Sequence, residues 1–201
     1  MVTKLLLAVQ EAASAAADAE ADPADVARLV AAYRRVRAGL GFNKSGREFG
    51  AIPVDPYSHT PAHAGAQQPG MTGAVKEEIL ARPLELGVRA VHGRLEFDAL
   101  LLESSELLDG PTSWTVATAD GGSDMIELAP GSLGLTVCQV PVVVSGTTEQ
   151  PWVEVDLTDG RTVRLDGSAV ARDESAAIFG RTGAVRRVRA AVRVEGSLRS
   201  S

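Results

Sequence analysis

The residues best suited to chemistry gather between Asp55 and Arg82. His59 and His63 are two of the chain's three histidines, and Gln67, Gln68, Thr72 and Gly73 follow closely. Residues 42–72 are rich in Gly, Pro and polar side chains and show little periodicity, which predicts a binding loop. Thr72 suits the N-cap of a helix over 73–82, which Pro83 should end. Free N–H groups and the dipole at such a helix start favour an anion, either phosphate or a substrate oxygen. Histidine adds a charge-assisted bond near neutral pH. His59, His63, Gln67, Gln68, Thr72 and Gly73 are therefore the candidate substrate- or phosphate-binding set. Tyr57 could stack on a sugar ring, and Asp55 and Glu77 could supply carboxylates for acid–base work. Plainer roles compete with these: Thr72 as a cap alone, the histidines as loop braces, Tyr57 as a core residue. The sequence shows no metal-ligand spacing, nucleophile elbow or nucleotide phosphate loop, so no resident metal or cofactor is expected.

Two helices and a β region must position that loop. Residues 2–17 place Leu5, Leu6, Val9, Ala12, Ala13 and Ala16 at helical spacing. Asp22 and Pro23 then open a second helix over 25–38, with Val26, Leu29, Val30, Tyr33 and Val36 as its apolar stripe. Arg34, Arg35 and Arg37 read as a solvated face. In helix 73–82, Val75, Ile79 and Leu80 should pack inward while Glu78 and Arg82 pair on the surface.

From Leu86 the pattern changes to alternation. His92-Gly93 and Asp159-Gly160 are hairpin signals, and Val188, Ala190, Val192 and Val194 alternate in a long last strand over Val185–Val194. The chain is thus expected to be α+β. A helical segment spans 1–85, carrying the loop 42–72, and an antiparallel β-sandwich, jelly-roll-like, spans 86–201.

Composition narrows the function further. A net charge of −6 argues against a general nucleic-acid binder, and no apolar run is long enough for a membrane span. The single cysteine, Cys138, lies in an apolar run and reads as a buried inert thiol. A cytoplasmic location is expected.

The order of helices, polar loop, Thr72-Gly73 helix, hairpin and β region resembles the C-terminal end of (α/α)6-toroid carbohydrate enzymes of the cellobiose phosphorylase-like kind. Gln67-Gln68-Pro69-Gly70-Met71-Thr72-Gly73 stands where that family has its Gly-rich, Thr-Gly segment. Gly93-Arg94-Leu95-Glu96-Phe97-Asp98-Ala99 matches its following hairpin, with Ala99 where a proline is common. Met71 and Ala74 stand where the family has aromatic residues. The resemblance implies a glycoside phosphorylase or hydrolase acting on an oligosaccharide, with inorganic phosphate or water as acceptor. Thr72 and Gly73 would hold phosphate, assisted by His59 or His63. The general acid of these enzymes lies on an earlier loop, so the chain would be inactive alone and would need the remainder of a toroid as its partner. The alternative is a non-enzymatic β-sandwich module that binds a glycan or a protein.

Overall fold

Asp22 fixes where the second helix begins. Its Oδ1 accepts a hydrogen bond from Ala24 N at 2.7 Å, and Pro23 fills the first helical position, where a missing N–H costs nothing. The computed structural model describes residues 2–39, 75–118 and 121–194. It is mixed α+β, and the chain divides into two units, Met1–Pro83 and Leu84–Ser201.

In the first unit, α1 (Val2–Asp18) and α2 (Pro23–Ala38) pack as a helical hairpin. The buried side of α1 carries Leu6, Gln10 and Ala13, whereas Leu5, expected inward, is 53% exposed and Ala12 is exposed too. Gln10 accounts for that rotation. Its side-chain amide donates to Ala81 O at 3.0 Å and reaches Tyr33 Oη at 3.5 Å, and a buried amide needs such partners. Arg34 and Arg35 are exposed, whereas Arg37, one turn beyond Tyr33 on the same face, is half-buried.

The third helix, α3 (Val75–Glu85), corrects two expectations. Ile79 and Leu80 are 66% and 64% exposed, not inward. The enclosed side carries Ala81, Leu84 and Glu85, a helical phase set nearly opposite. Pro83 does not end the helix either. It deprives Ile79 O of its usual donor, but Ile79 lies on the exposed face, where water can serve. The turn falls instead at Gly87, whose φ of +75° suits glycine.

The β unit is built around one five-stranded sheet. Its strands are β5 (Ser132–Val137), β6 (Val140–Thr147), β7 (Trp152–Leu157), β8 (Thr162–Asp166) and β9 (Val185–Arg193), in the order β5-β6-β9-β7-β8. Most neighbours are antiparallel, but β6 and β9 run parallel, which departs from the purely antiparallel expectation. A parallel pair needs a long crossover. Here β7, β8 and a helix not foreseen in the sequence, α4 (Arg172–Phe179), lie between them.

Alternation sends the two faces of the sheet to different partners. Val142, Val144, Val153, Val155, Val188 and Val192 are buried on one face. They share a core with Leu95 and Phe97 of the hairpin β1 (Val88–Val91)–β2 (Arg94–Phe97) and with Ile178 of α4. Leu95 and Phe97 aim their free amides away from β1. Leu95 N donates to Ser175 Oγ and Phe97 N to Ser168 O, so the hairpin is tied down by hydrogen bonds as well as by packing. On the other face, Val143 meets Val116, Ile126 and Leu128 of the hairpin β3 (Thr112–Ala117)–β4 (Ser123–Leu128).

Close approach of this second hairpin depends on Gly134 in β5. A Cβ there would lie 2.7 Å from Trp114 Cε3 and 3.0 Å from Leu128 Cδ1. Alanine ordinarily stabilises a strand relative to glycine by about 0.5–1 kcal/mol. Gly134→Ala should instead destabilise by about 1–3 kcal/mol, the scale of overpacking. Denaturant midpoints of the two proteins decide the sign, and a stabilised variant would show that Trp114 does not sit on the strand.

Candidate functional site

Three hairpins and one crossover finish at the same end of the five-stranded sheet. Because β6 and β9 are parallel, both begin there, and β7 ends there against β9 through Leu157 and Val185. The β3–β4 connection reaches the same place, where Asp124 meets Arg186. Between these turns lies a cleft of about 640 Å³, within the size range of pockets for small molecules.

Backbone strain concentrates on the lining of this cleft. Five non-glycine residues among the described ones have positive φ, and three of them, Cys138, Gln139 and Arg181, line it. Cys138 and Gln139, at φ +49° and +73°, are the two central residues of the β5–β6 turn. The β1–β2 turn uses the same geometry with His92 and Gly93, at +49° and +77°, and puts a glycine where glycine is favoured. Cys138 is therefore a half-buried turn residue beside a cleft, not a buried strand thiol.

Arg181 occupies the end of α4. Thr182 N bonds Ala177 O and Arg181 N bonds Ile178 O, both at 3.1 Å, which is the closing pattern of a helix whose left-handed position normally takes glycine. Gly180 stands one residue too early, in right-handed conformation, and Arg181 takes the left-handed place at φ +51°. Arg186 reaches the cleft by a different irregularity. The β7–β9 register shifts between Asp156 and Leu157, leaving Arg186 as the extra residue of β9. Bulges of this kind re-aim a side chain. Arg186 bonds Asp124 Oδ2 from Nε at 3.2 Å and from a terminal nitrogen at 3.0 Å.

A second polar cluster covers the β7–β8–β9 part of the sheet face that carries Val143. Glu154 accepts from Arg164 at 2.6 Å and pairs with Arg189 at 3.1 Å. Asp156 accepts from Arg187, Arg189 and Thr162 at 2.8–2.9 Å. Burial pushes the Asp156 carboxyl up, but hydrogen bonds from Arg187 and Thr162 and the charge of Arg189 outweigh it. They hold it below the usual carboxylate range. Asp156, held ionised by these partners, is not the protonated acid that cleavage of a glycosidic bond needs. Arg164 lies 4.5 Å above the Trp152 ring centre and covers the indole face a sugar would use. This cluster is a brace.

The residues singled out from the sequence stand elsewhere. His59, His63, Gln67, Gln68, Thr72 and Gly73 lie outside the described residues, as do Tyr57 and Asp55. Glu77 is half-buried on α3, and its Oε2 is enclosed with no hydrogen-bond partner among the described residues. Among those residues no group of three His, Cys, Asp or Glu could hold a metal ion, and no helix is long and apolar enough to cross a membrane. Sequence reasoning missed the cleft. One signal was there: Val137 and Val140 both belong to alternating runs but are three apart, so Cys138-Gln139 must be a two-residue turn.

Two measurements follow. Gln139→Gly relieves the left-handed strain at the β5–β6 turn and should stabilise the protein by about 0.5–1 kcal/mol in denaturant unfolding. No gain would mean that the turn is unstrained. The depressed Asp156 carboxyl contributes stability above the ordinary carboxylate value of about 3.9, and that contribution is lost as pH falls through its lower folded value. The stability advantage of the native protein over Asp156→Asn should be largest near neutral pH and shrink in acid. A gap independent of pH would show that the arginines do not hold the charge.

No protein-family model matches this chain, and no curated protein matches it either.

Proposed function

We propose that the chain is a binding protein whose β unit holds a hydroxylated small molecule, of sugar size, in the cleft at the starting end of β6 and β9. The observation that carries this reading is the concentration of strain. Left-handed residues Cys138, Gln139 and Arg181 and the bulged Arg186 all line one 640 Å³ cleft. Such conformations cost about 1–3 kcal/mol each and persist where they serve a site. The lining mixes polar and apolar groups and carries one carboxylate, Asp124, among the described residues, whereas cleavage of a glycosidic bond uses a pair, which supports a binding role. In a titration of the isotope-labelled protein with mono- and disaccharides and their acids, amides of Gly122, Gln139, Thr158 and Gly183 should shift. Shifts confined to other regions, or none, would remove this reading.

A second reading follows the resemblance to the (α/α)6-toroid carbohydrate enzymes. On it the helical unit is the end of a toroid, the β unit is the terminal jelly-roll-like sandwich, and the sugar or phosphate sits at Gln67, Gln68, Thr72 and Gly73. It is favoured by the exposure of Leu5, Ile79 and Leu80 in the helical unit, an apolar set of the kind that neighbouring helices would cover. The same titration separates the two, because this reading puts the shifts at residues 67–73 and leaves the cleft amides unmoved.

A further inference from the structure

We infer that the cleft reads an anionic group on its hydroxylated ligand, and that Arg181 is the residue that does so. This rests on the cleft being the binding site. Among the described residues its charged lining consists of Arg181, Arg186 and Asp124, two cations against one anion in a chain of net charge −6. The two arginines are not equivalent. Arg186 is neutralised by Asp124, whereas the Arg181 side chain has no hydrogen-bond or ion-pair partner among the described residues. A free guanidinium at the edge of a cleft offers a planar fork of donors, the geometry that matches carboxylate or phosphate oxygens.

The position of Arg181 strengthens the assignment. Glycine is the residue that closes a helix in this way at least cost, and glycine is present one residue earlier, at Gly180. The chain nevertheless places a long cationic side chain on the left-handed position, where it lines the cleft. Packing does not require it, since Arg181 is exposed.

The remaining polar groups select hydroxyls. Both bonds from Arg186 converge on Asp124 Oδ2, so Oδ1 makes neither of them and can accept from a ligand. Thr158 Oγ1 donates its proton to Ala184 O at 3.3 Å and turns its lone pairs outward as acceptors. An inorganic anion has few protons to give to these acceptors. A sugar acid or a sugar phosphate satisfies the fork and the acceptors together.

The test uses the full chain and four probes: glucose, glucuronate, glucose 6-phosphate and inorganic phosphate. Binding is read by calorimetry and by the amide shifts of Gly122 and Gly183. Either anionic sugar should bind at least tenfold more tightly than glucose, and the better of the two identifies carboxylate or phosphate as the natural group. Arg181→Gly should raise the Kd of that sugar more than tenfold and remove its advantage over glucose. The variant should fold, with a higher Tm, because glycine suits the left-handed position. Equal binding of glucose and the anionic sugars at shifted cleft amides, unaffected by Arg181→Gly, would overturn the anion assignment and leave the cleft standing. Inorganic phosphate binding as tightly as glucose 6-phosphate would overturn the hydroxyl half. No shift of cleft amides with any probe would remove the cleft reading itself, and this inference with it.

Discussion

The backbone hydrogen bonds that β9 makes on both of its sides hold the β unit together. The last strand of the chain sits in the middle of the sheet, parallel to β6 and antiparallel to β7, with Val188, Ala190 and Val192 buried. Until β9 is in place, β5–β6 and β7–β8 are separate hairpins, and isolated hairpins are marginal in water. The parallel pairing also dictates geometry. β9 must enter at the end where β6 starts, so the crossover through α4 has to deliver the chain there. The C-terminal turn of α4 is thereby brought beside the β5–β6 and β7–β8 turns. A cleft at that end is a consequence of strand order.

What fills the lining of that cleft is not dictated by strand order. A two-residue hairpin can be closed with glycine, as His92-Gly93 shows within this same molecule, and the sharp turn at Asp159-Gly160 also uses it. At Cys138-Gln139 and at Arg181 the chain takes the same left-handed conformations with side chains that resist them. The irregularity at Arg186 adds a third departure from the cheapest local solution. Sequences usually agree with their local structure, and conflicts gather at functional positions. Glu20 and His92, the other left-handed non-glycines among the described residues, sit in turns outside the cleft, so the concentration is local.

Much of the β unit was legible because side-chain alternation and turn residues are local signals. The hairpins at His92-Gly93 and Asp159-Gly160, and the last strand, could be read residue by residue. The parallel β6–β9 pairing could not, since Val142 and Val188 alternate identically whichever direction their neighbour runs. α4 escaped notice because eight residues are too few for a convincing helical period. In α1 and α3 the apolar residues suggested one face and polar partners chose another: Gln10 took the inside, and Ile79 and Leu80 the outside. The cleft was illegible for a different reason. Its charged residues among the described ones, Asp124 on one side and Arg181 and Arg186 on the other, come from segments that only strand order brings together, and no spacing rule links them.

A chain with net charge −6 repels anions at long range, so an anion site on it must be made locally, by unpaired cations held close together. Most arginines of the β unit are spent otherwise: Arg187 and Arg189 on Asp156, Arg164 on Glu154 and Trp152, Arg89 on Asp98. The β7–β8–β9 cluster sets three arginines against two carboxylates, and each of those guanidiniums already donates to a carboxylate. Arg186 is spent on one oxygen of Asp124, and the other oxygen of that cleft-lining carboxylate takes neither bond. Arg181 differs from the other cleft arginine: it has no partner among the described residues and takes its place on the cleft wall at a conformational cost. Because Arg186 already holds Asp124, an incoming anion meets one open fork among the described cleft residues.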